Sequence, residues 1–163
     1  MKPISARLTH ANSADSGRTG PLSATTSNLF VYGTLIIDNV IRALIDRVPD
    51  HEPVIAAGWR VARLPDRLYP GLVTGDGQAT GRLYTDLTPG EWATLDAFED
   101  PIYTLTTLEV FPGPRLALSY VWPQAHLARS WTLDDLRPVD LVSYLERCRA
   151  WRARYRQSHD NDQ

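Results

Sequence analysis

The feature that most constrains this chain is an abrupt change of character at one glycine. Leu29-Phe30-Val31-Tyr32 is a short apolar run, and Gly33-Thr34-Leu35 ends it before a new amphipathic segment begins. A run of that length closed by glycine predicts a buried strand feeding a tight turn. Glycine admits backbone conformations in which successive N–H groups converge, so the turn is a candidate anion cradle. Such a cradle suits a substrate carboxylate or the oxyanion of a tetrahedral intermediate. A strand-to-helix turn that binds nothing carries the same local pattern, and both readings stay open on the pattern alone.

The remainder of the chain predicts one α+β domain. Residues 1–27 are rich in Ser, Thr, Ala, Asn and Gly and have too little apolar content to order themselves. The domain is expected over residues 28–157, with 158–163 as a second tail. Asp38 is a plausible N-cap for a helix carrying Val40, Ile41, Leu44 and Ile45 at helical spacing. Residues 54–64, 69–73 and 78–84 are β-rich, and Thr74-Gly75-Asp76-Gly77 predicts a hairpin turn between the last two. Thr88-Pro89-Gly90-Glu91 has the pattern of a capped helix start, with Pro101 as the stop. Two more strands flank Pro112-Gly113-Pro114, and a final helix over 139–157 carries a stripe from Leu141 to Tyr155. Strands joined mostly by hairpins, with interspersed helices, fit a small mixed β-barrel with flanking helices better than a doubly wound sheet.

Charge and cysteine usage exclude several functions. The net charge of -2 over 163 residues gives no basis for a nucleic-acid partner, and the arginines from Arg147 to Arg156 read as the solvated back of the last helix. Cys148 is the only cysteine, which rules out an internal disulfide and a cysteine-based metal site. His10, His51, His126 and His159 have no ligand spacing, so no metal is expected. No apolar run approaches the roughly 18–20 residues of a membrane span. The N-terminus lacks the apolar core of a secretory signal, so a cytoplasmic location without membrane partners is expected.

The candidate for acid–base chemistry is Glu99, in Leu95-Asp96-Ala97-Phe98-Glu99-Asp100-Pro101. It falls where a helix breaks, and the negative end of the helix dipole disfavours its charged form. Asp96 and Asp100 add like charge, while Phe98, Pro101 and Ile102 offer apolar cover. These surroundings suit a general base; three solvated carboxylates at a helix end are the plainer reading. Tyr32, Tyr103 and Tyr120 are placed to aim hydroxyls into a pocket, or to serve only as half-buried strand residues.

Taken in order, these pieces resemble the gamma-glutamylcyclotransferase-like superfamily, in its avirulence-induced-gene-like branch. The resemblance runs from about Asn28 to Trp131. It rests on Phe30-Val31-Tyr32-Gly33-Thr34-Leu35, Gly58-Trp59-Arg60, Tyr69-Pro70-Gly71-Leu72, Gly81-Arg82-Leu83-Tyr84, Leu95 to Glu99 with Tyr103, and Tyr120-Val121-Trp122. It implies a cavity whose floor includes the Tyr32–Leu35 turn and Glu99. It further implies cyclisation of a γ-glutamyl amine to 5-oxoproline with release of the amine, with no metal or organic cofactor. On this resemblance Glu99 is the catalytic acid/base, and Tyr32, Gly33, Thr34, Leu35, Tyr103 and Tyr120 bind the small-molecule substrate. Where the family commonly carries Gly after the acid and Arg shortly after the tyrosine, this chain has Asp100 and Thr104-Leu105-Thr106. Those departures imply a pocket with one more carboxylate and one fewer cation. A binding module on the same fold, or an amine acyltransferase, are the alternative functions; the oligomeric state is left open.

Overall fold

A computed structural model describes residues 28–124 and 129–161. The tail expected over residues 1–27 lies outside the described residues. Five strands form one sheet: β1 (Leu29–Val31), β2 (His51–Arg63), β3 (Pro70–Tyr84), β4 (Thr104–Val110) and β5 (Arg115–Val121), in the order β2-β3-β1-β5-β4. Among the described residues, three α-helices, α1 (Asp38–Ile45), α2 (Pro89–Phe98) and α3 (Pro138–Asn161), accompany it. The fold is α+β, as expected.

β1 is short and buried along its whole length. It pairs antiparallel with β3, Phe30 opposite Leu83, and parallel with β5, Leu29 opposite Leu118. Its side chains alternate between two cores, as the period of a strand demands. Leu29 and Val31 join the core beneath the helices, with Ile41, Leu44, Leu95 and Cys148. Phe30 points into the curled sheet, among Val54, Leu72, Leu83 and Val110.

The curl brings the sheet's two edges together without a full ladder. Ile55 of β2 and Phe111, just beyond β4, exchange two backbone hydrogen bonds of 2.9 Å each. Further along β2, Arg63 donates to the Arg129 carbonyl at 2.8 Å and Trp131 donates to the Val61 carbonyl at 3.0 Å. The outer edge of β2 is thereby covered, which removes a template for strand addition. The expected barrel is thus a strongly curled sheet with a bridged seam.

Local expectations and outcomes differ at three places. The turn expected at Thr74-Gly75-Asp76-Gly77 is not a chain reversal; β3 runs through it and stays paired with β2 on both sides, Arg60 opposite Val73 and Ala56 opposite Ala79. The residues that permit a turn also permit a bulge. Gly58 (φ +83°) and Gly77 (φ +93°) supply the left-handed conformations that absorb the extra length. The real reversal lies between Arg63 and Pro70. Asp38 does not cap α1: Ile37 occupies the N-cap, and the Asp38 carboxylate instead accepts from Arg82 at 2.8 Å. The last helix continues past Gln157 to Asn161.

α2 begins as its pattern requires. The Thr88 side chain accepts from the Glu91 amide at 3.1 Å, and the Glu91 carboxylate accepts from the Thr88 amide at 3.0 Å. Arg47, after α1, grips the same Glu91 with contacts of 2.6 and 2.8 Å. That clamp fixes the start of α2 and therefore where it ends, at Glu99, whose amide donates to the Leu95 carbonyl. The segment beyond is held by Asp100, which accepts from the Tyr69 hydroxyl at 2.6 Å, Arg67 at 3.0 Å and the Ile102 amide at 2.9 Å.

Burial alone would push the Asp100 carboxyl up, but Tyr69, the Ile102 amide and Arg67 together hold it below its usual value. Asp100→Asn keeps the shape and removes the charge, and is expected to cost about 1–2 kcal/mol of stability at neutral pH. A carboxyl lowered on folding stabilises above its unfolded value of 3.8, and that contribution fades as pH falls through the folded value. Urea unfolding of both proteins should show a gap at neutral pH that closes in strong acid. A gap unchanged in acid would assign the effect to shape rather than charge.

Candidate functional site

The strand β1 delivers Tyr32 and Gly33 to the lining of a cavity of about 510 Å³. A single 3-10 turn, Thr34–Ile36, follows, and its first internal hydrogen bond runs from the Ile36 amide to the Gly33 carbonyl. The amides before Ile36 therefore have no acceptor within the turn itself. Glycine is required at 33 by packing: a Cβ there would lie 2.6 and 2.7 Å from the Pro70 ring carbons Cγ and Cδ. The turn is pinned from its other side by Tyr84, which donates to the Leu35 carbonyl at 2.5 Å, and by a 3.1 Å hydrogen bond between Thr34 and Tyr144.

All seven residues expected at the site, Tyr32, Gly33, Thr34, Leu35, Glu99, Tyr103 and Tyr120, line this one cavity. Sequence separation of more than sixty positions between the turn and Glu99 is bridged by α2 packing beside β1 in the common core. The tyrosines have definite partners. Tyr32 donates to the Tyr120 carbonyl at 2.5 Å, Tyr120 donates to Asp96 at 2.8 Å, and Tyr103 donates to the Pro70 carbonyl. The Tyr103 ring also meets Tyr120 and Trp122 edge-on, at 6.1 and 5.3 Å between centroids. They wall the cavity more than they reach into it.

Electrostatics separate the ionisable groups into two kinds. Burial pushes up the phenols of Tyr32, Tyr103 and Tyr144, and the Glu99 carboxylate adds to the push at each. Burial likewise raises the Cys148 thiol to about 12. These four groups are neutral at physiological pH, so the cysteine is no thiolate nucleophile. Asp100, the extra carboxylate, is held ionised by its contacts with Tyr69 and Arg67 and faces the cavity as half of an ion pair. It does not add the uncompensated like charge expected from its position beside Glu99. Asp96 is buried and takes the Tyr120 hydroxyl, outside the cavity lining.

The residues that sequence reasoning missed come mainly from α3. Tyr144, Arg147, Cys148, Trp151 and Arg154 line the cavity from that helix. The arginine run is therefore not simply a solvated back. Arg147 and Arg154 face the cavity, Arg152 reaches Thr94 and Asp46 at 3.2 and 3.3 Å, and Arg156 reaches Asp46 at 2.9 Å. The available signal was spacing: Arg147 and Arg154 follow Tyr144 by three and ten residues and so share its side of the helix. The cation implied to be missing near Tyr103 is matched here by guanidinium groups from a different element.

Comparison with known proteins sets the family. Residues 29–140 match the family described as gamma-glutamyl cyclotransferase, AIG2-like. AIG2-like protein C of Arabidopsis thaliana is 34% identical over 126 residues, spanning 72% of this chain and 73% of the relative. AIG2-like protein A of the same plant is 33% identical over 127 residues, spanning 73% and 77%. Two Arabidopsis thaliana proteins solved in solution share the fold with TM-scores of 0.58 and 0.57 at 25% identity. They cover 76% and 73% of this chain, and 80% and 85% of their own chains are covered. The chain belongs to the gamma-glutamyl cyclotransferase, AIG2-like family.

Proposed function

We propose that this protein cleaves a γ-glutamyl amine by intramolecular cyclisation, yielding 5-oxoproline and the free amine, with Glu99 as the proton carrier. The observation that carries this reading is that Glu99 and the Tyr32–Leu35 turn line the same cavity of about 510 Å³. A γ-glutamyl unit has its carboxylate and its amine on one carbon, so the groups that serve them must share one chamber. The amides of Gly33, Thr34 and Leu35 serve the α-carboxylate or the developing oxyanion. Glu99 serves the α-amine.

The chemistry follows from the substrate's own nucleophile. The α-ammonium gives a proton to Glu99 and becomes an amine, whose nitrogen attacks the γ-carbonyl carbon and closes a five-membered ring. Charge passes to the carbonyl oxygen. The bond from that carbon to the departing nitrogen then breaks as Glu99 returns the proton. A second proton leaves the ring nitrogen and travels the same way, so the α-ammonium loses two protons and the departing amine leaves as an ammonium. Glu99 ends as it began. Intramolecular attack supplies effective molarities of about 10⁵ M or more, so no protein nucleophile is required. The raised Cys148 thiol and the Asp100–Arg67 pair support the choice of Glu99 by elimination among the groups around the cavity.

A panel of γ-glutamyl amines, γ-glutamyl dipeptides and γ-glutamyl-ε-lysine, assayed for 5-oxoproline, tests the reaction. The wild type is expected to release it, and Glu99→Gln to release it about 10²–10⁴-fold more slowly, as for loss of a general acid/base. Equal rates in the two proteins would remove Glu99 from the role. Ligand-induced stabilisation with no 5-oxoproline from any substrate would make the chain a binding module. A second expectation concerns the turn. Gly33→Ala forces its Cβ against Pro70 and displaces the amides. A drop in kcat/KM of about tenfold to a hundredfold, with the fold retained by circular dichroism, is expected from such a shift.

A further inference from the structure

A second basin, of about 680 Å³, adjoins the first and shares Tyr69 and Arg147 with it. Four guanidinium groups line it: Arg63, Arg67, Arg129 and Arg147. Arg67 is committed to Asp100, at 3.0 Å. Among the described residues, no ion pair involves Arg63, Arg129 or Arg147. Among the described residues, Asp66 is the one carboxylate in the lining. The basin is therefore positive, in a chain whose net charge is -2.

Backbone pairing holds this charge together. The Arg63 amide donates to the Arg129 carbonyl at 2.8 Å, and Ala62 and Ser130 form the adjoining bridge. Two arginines set side by side across a strand pair repel each other, and both are exposed. An anion between them turns that repulsion into attraction, through charge-assisted hydrogen bonds from planar forks suited to carboxylate or phosphate. Arg147 stands at the junction, its guanidinium 5.7 Å from the centre of the Tyr144 ring, and Tyr144 in turn bonds Thr34 of the turn. The first chamber thus adjoins, at Tyr69 and Arg147, a surface rich in positive charge.

We propose that this basin receives the amine half of the substrate, and that this half carries an anionic group, a carboxylate or a phosphate. The inference rests on the cyclotransferase reading for its assignment of halves: with the γ-glutamyl unit at the turn and Glu99, the scissile nitrogen's substituent must occupy neighbouring space. A neutral or cationic amine would leave the arginines unanswered.

Calorimetric binding of three compounds to the full chain tests it: γ-glutamyl-glycine, γ-glutamyl-phosphoethanolamine and γ-glutamyl-glycinamide, which is neutral in its amine half. Glu99→Gln protein is used so that ligands stay intact, and 5-oxoproline release is followed separately with otherwise unaltered protein. At least one charged compound is expected to bind about tenfold or more tightly than the glycinamide, and to lose that advantage at high salt. Adding Arg63→Gln with Arg129→Gln should erase the preference. Which charged compound binds better tells carboxylate from phosphate. Equal affinity for charged and neutral compounds, no binding of any of them, or a preference that survives the arginine substitutions would overturn the proposal. Release of 5-oxoproline with no charge preference defeats the basin and keeps the cyclisation. An arginine-dependent preference with no 5-oxoproline from any substrate defeats the cyclisation and keeps the basin.

Discussion

Everything at the candidate site hangs on three residues that are buried on both faces and bonded on both edges. Leu29, Phe30 and Val31 pair with β3 on one side, Leu29 pairs with β5 on the other, and the three alternate between two separate cores. A strand held in this way has no freedom to slip, since a shift of one residue would exchange its two cores. The point at which it ends is equally fixed. Gly33 comes to rest against the Pro70 ring with no room for a side chain, and the turn that follows lines the cavity.

The second organising influence is charge carried across elements. Asp100 brings an acidic group next to Glu99, yet Arg67 and Tyr69 engage it from the loop before β3. Arg147 and Arg154 arrive from α3, the final helix, and supply positive charge at a cavity that Glu99 and Asp100 also line, among tyrosines and apolar side chains. The balance between acid and base around the site therefore belongs to the tertiary structure and to no single motif. It also puts the turn and guanidinium groups in the lining of one cavity, with Arg147 shared by the basic basin beside it.

How much of this was legible follows from how local each feature is. The strand ending at Gly33, the capped start of α2 at Thr88 and Glu91, and the helix end at Glu99 are all encoded within a few neighbouring residues, and they stand where the pattern puts them. The glycines at 75 and 77 signal a departure from regular strand, but whether that departure is a turn or a bulge depends on Gly58 in the opposing strand. Asp38 has the right chemistry for a cap and is drawn instead to Arg82, forty-four positions away. The role of the arginines of α3 was hidden for the same reason. A helix alone shows which residues share a face, and only its docking against α1 and the turn decides which face meets the cavity. The tyrosines were legible as pocket residues, but the partners of their hydroxyls were not, because these are backbone carbonyls and Asp96 brought near by the folded sheet.

The central claim is that the turn and Glu99 act on one γ-glutamyl unit. Its most direct test is a crystal structure of the Glu99→Gln protein with an intact γ-glutamyl amine. The account predicts the α-carboxylate or the γ-carbonyl oxygen against the amides of Gly33 to Leu35. It also predicts the α-amine within about 3 Å of the side chain at position 99. A γ-glutamyl group bound away from the turn, or one whose amine points away from position 99, would contradict it.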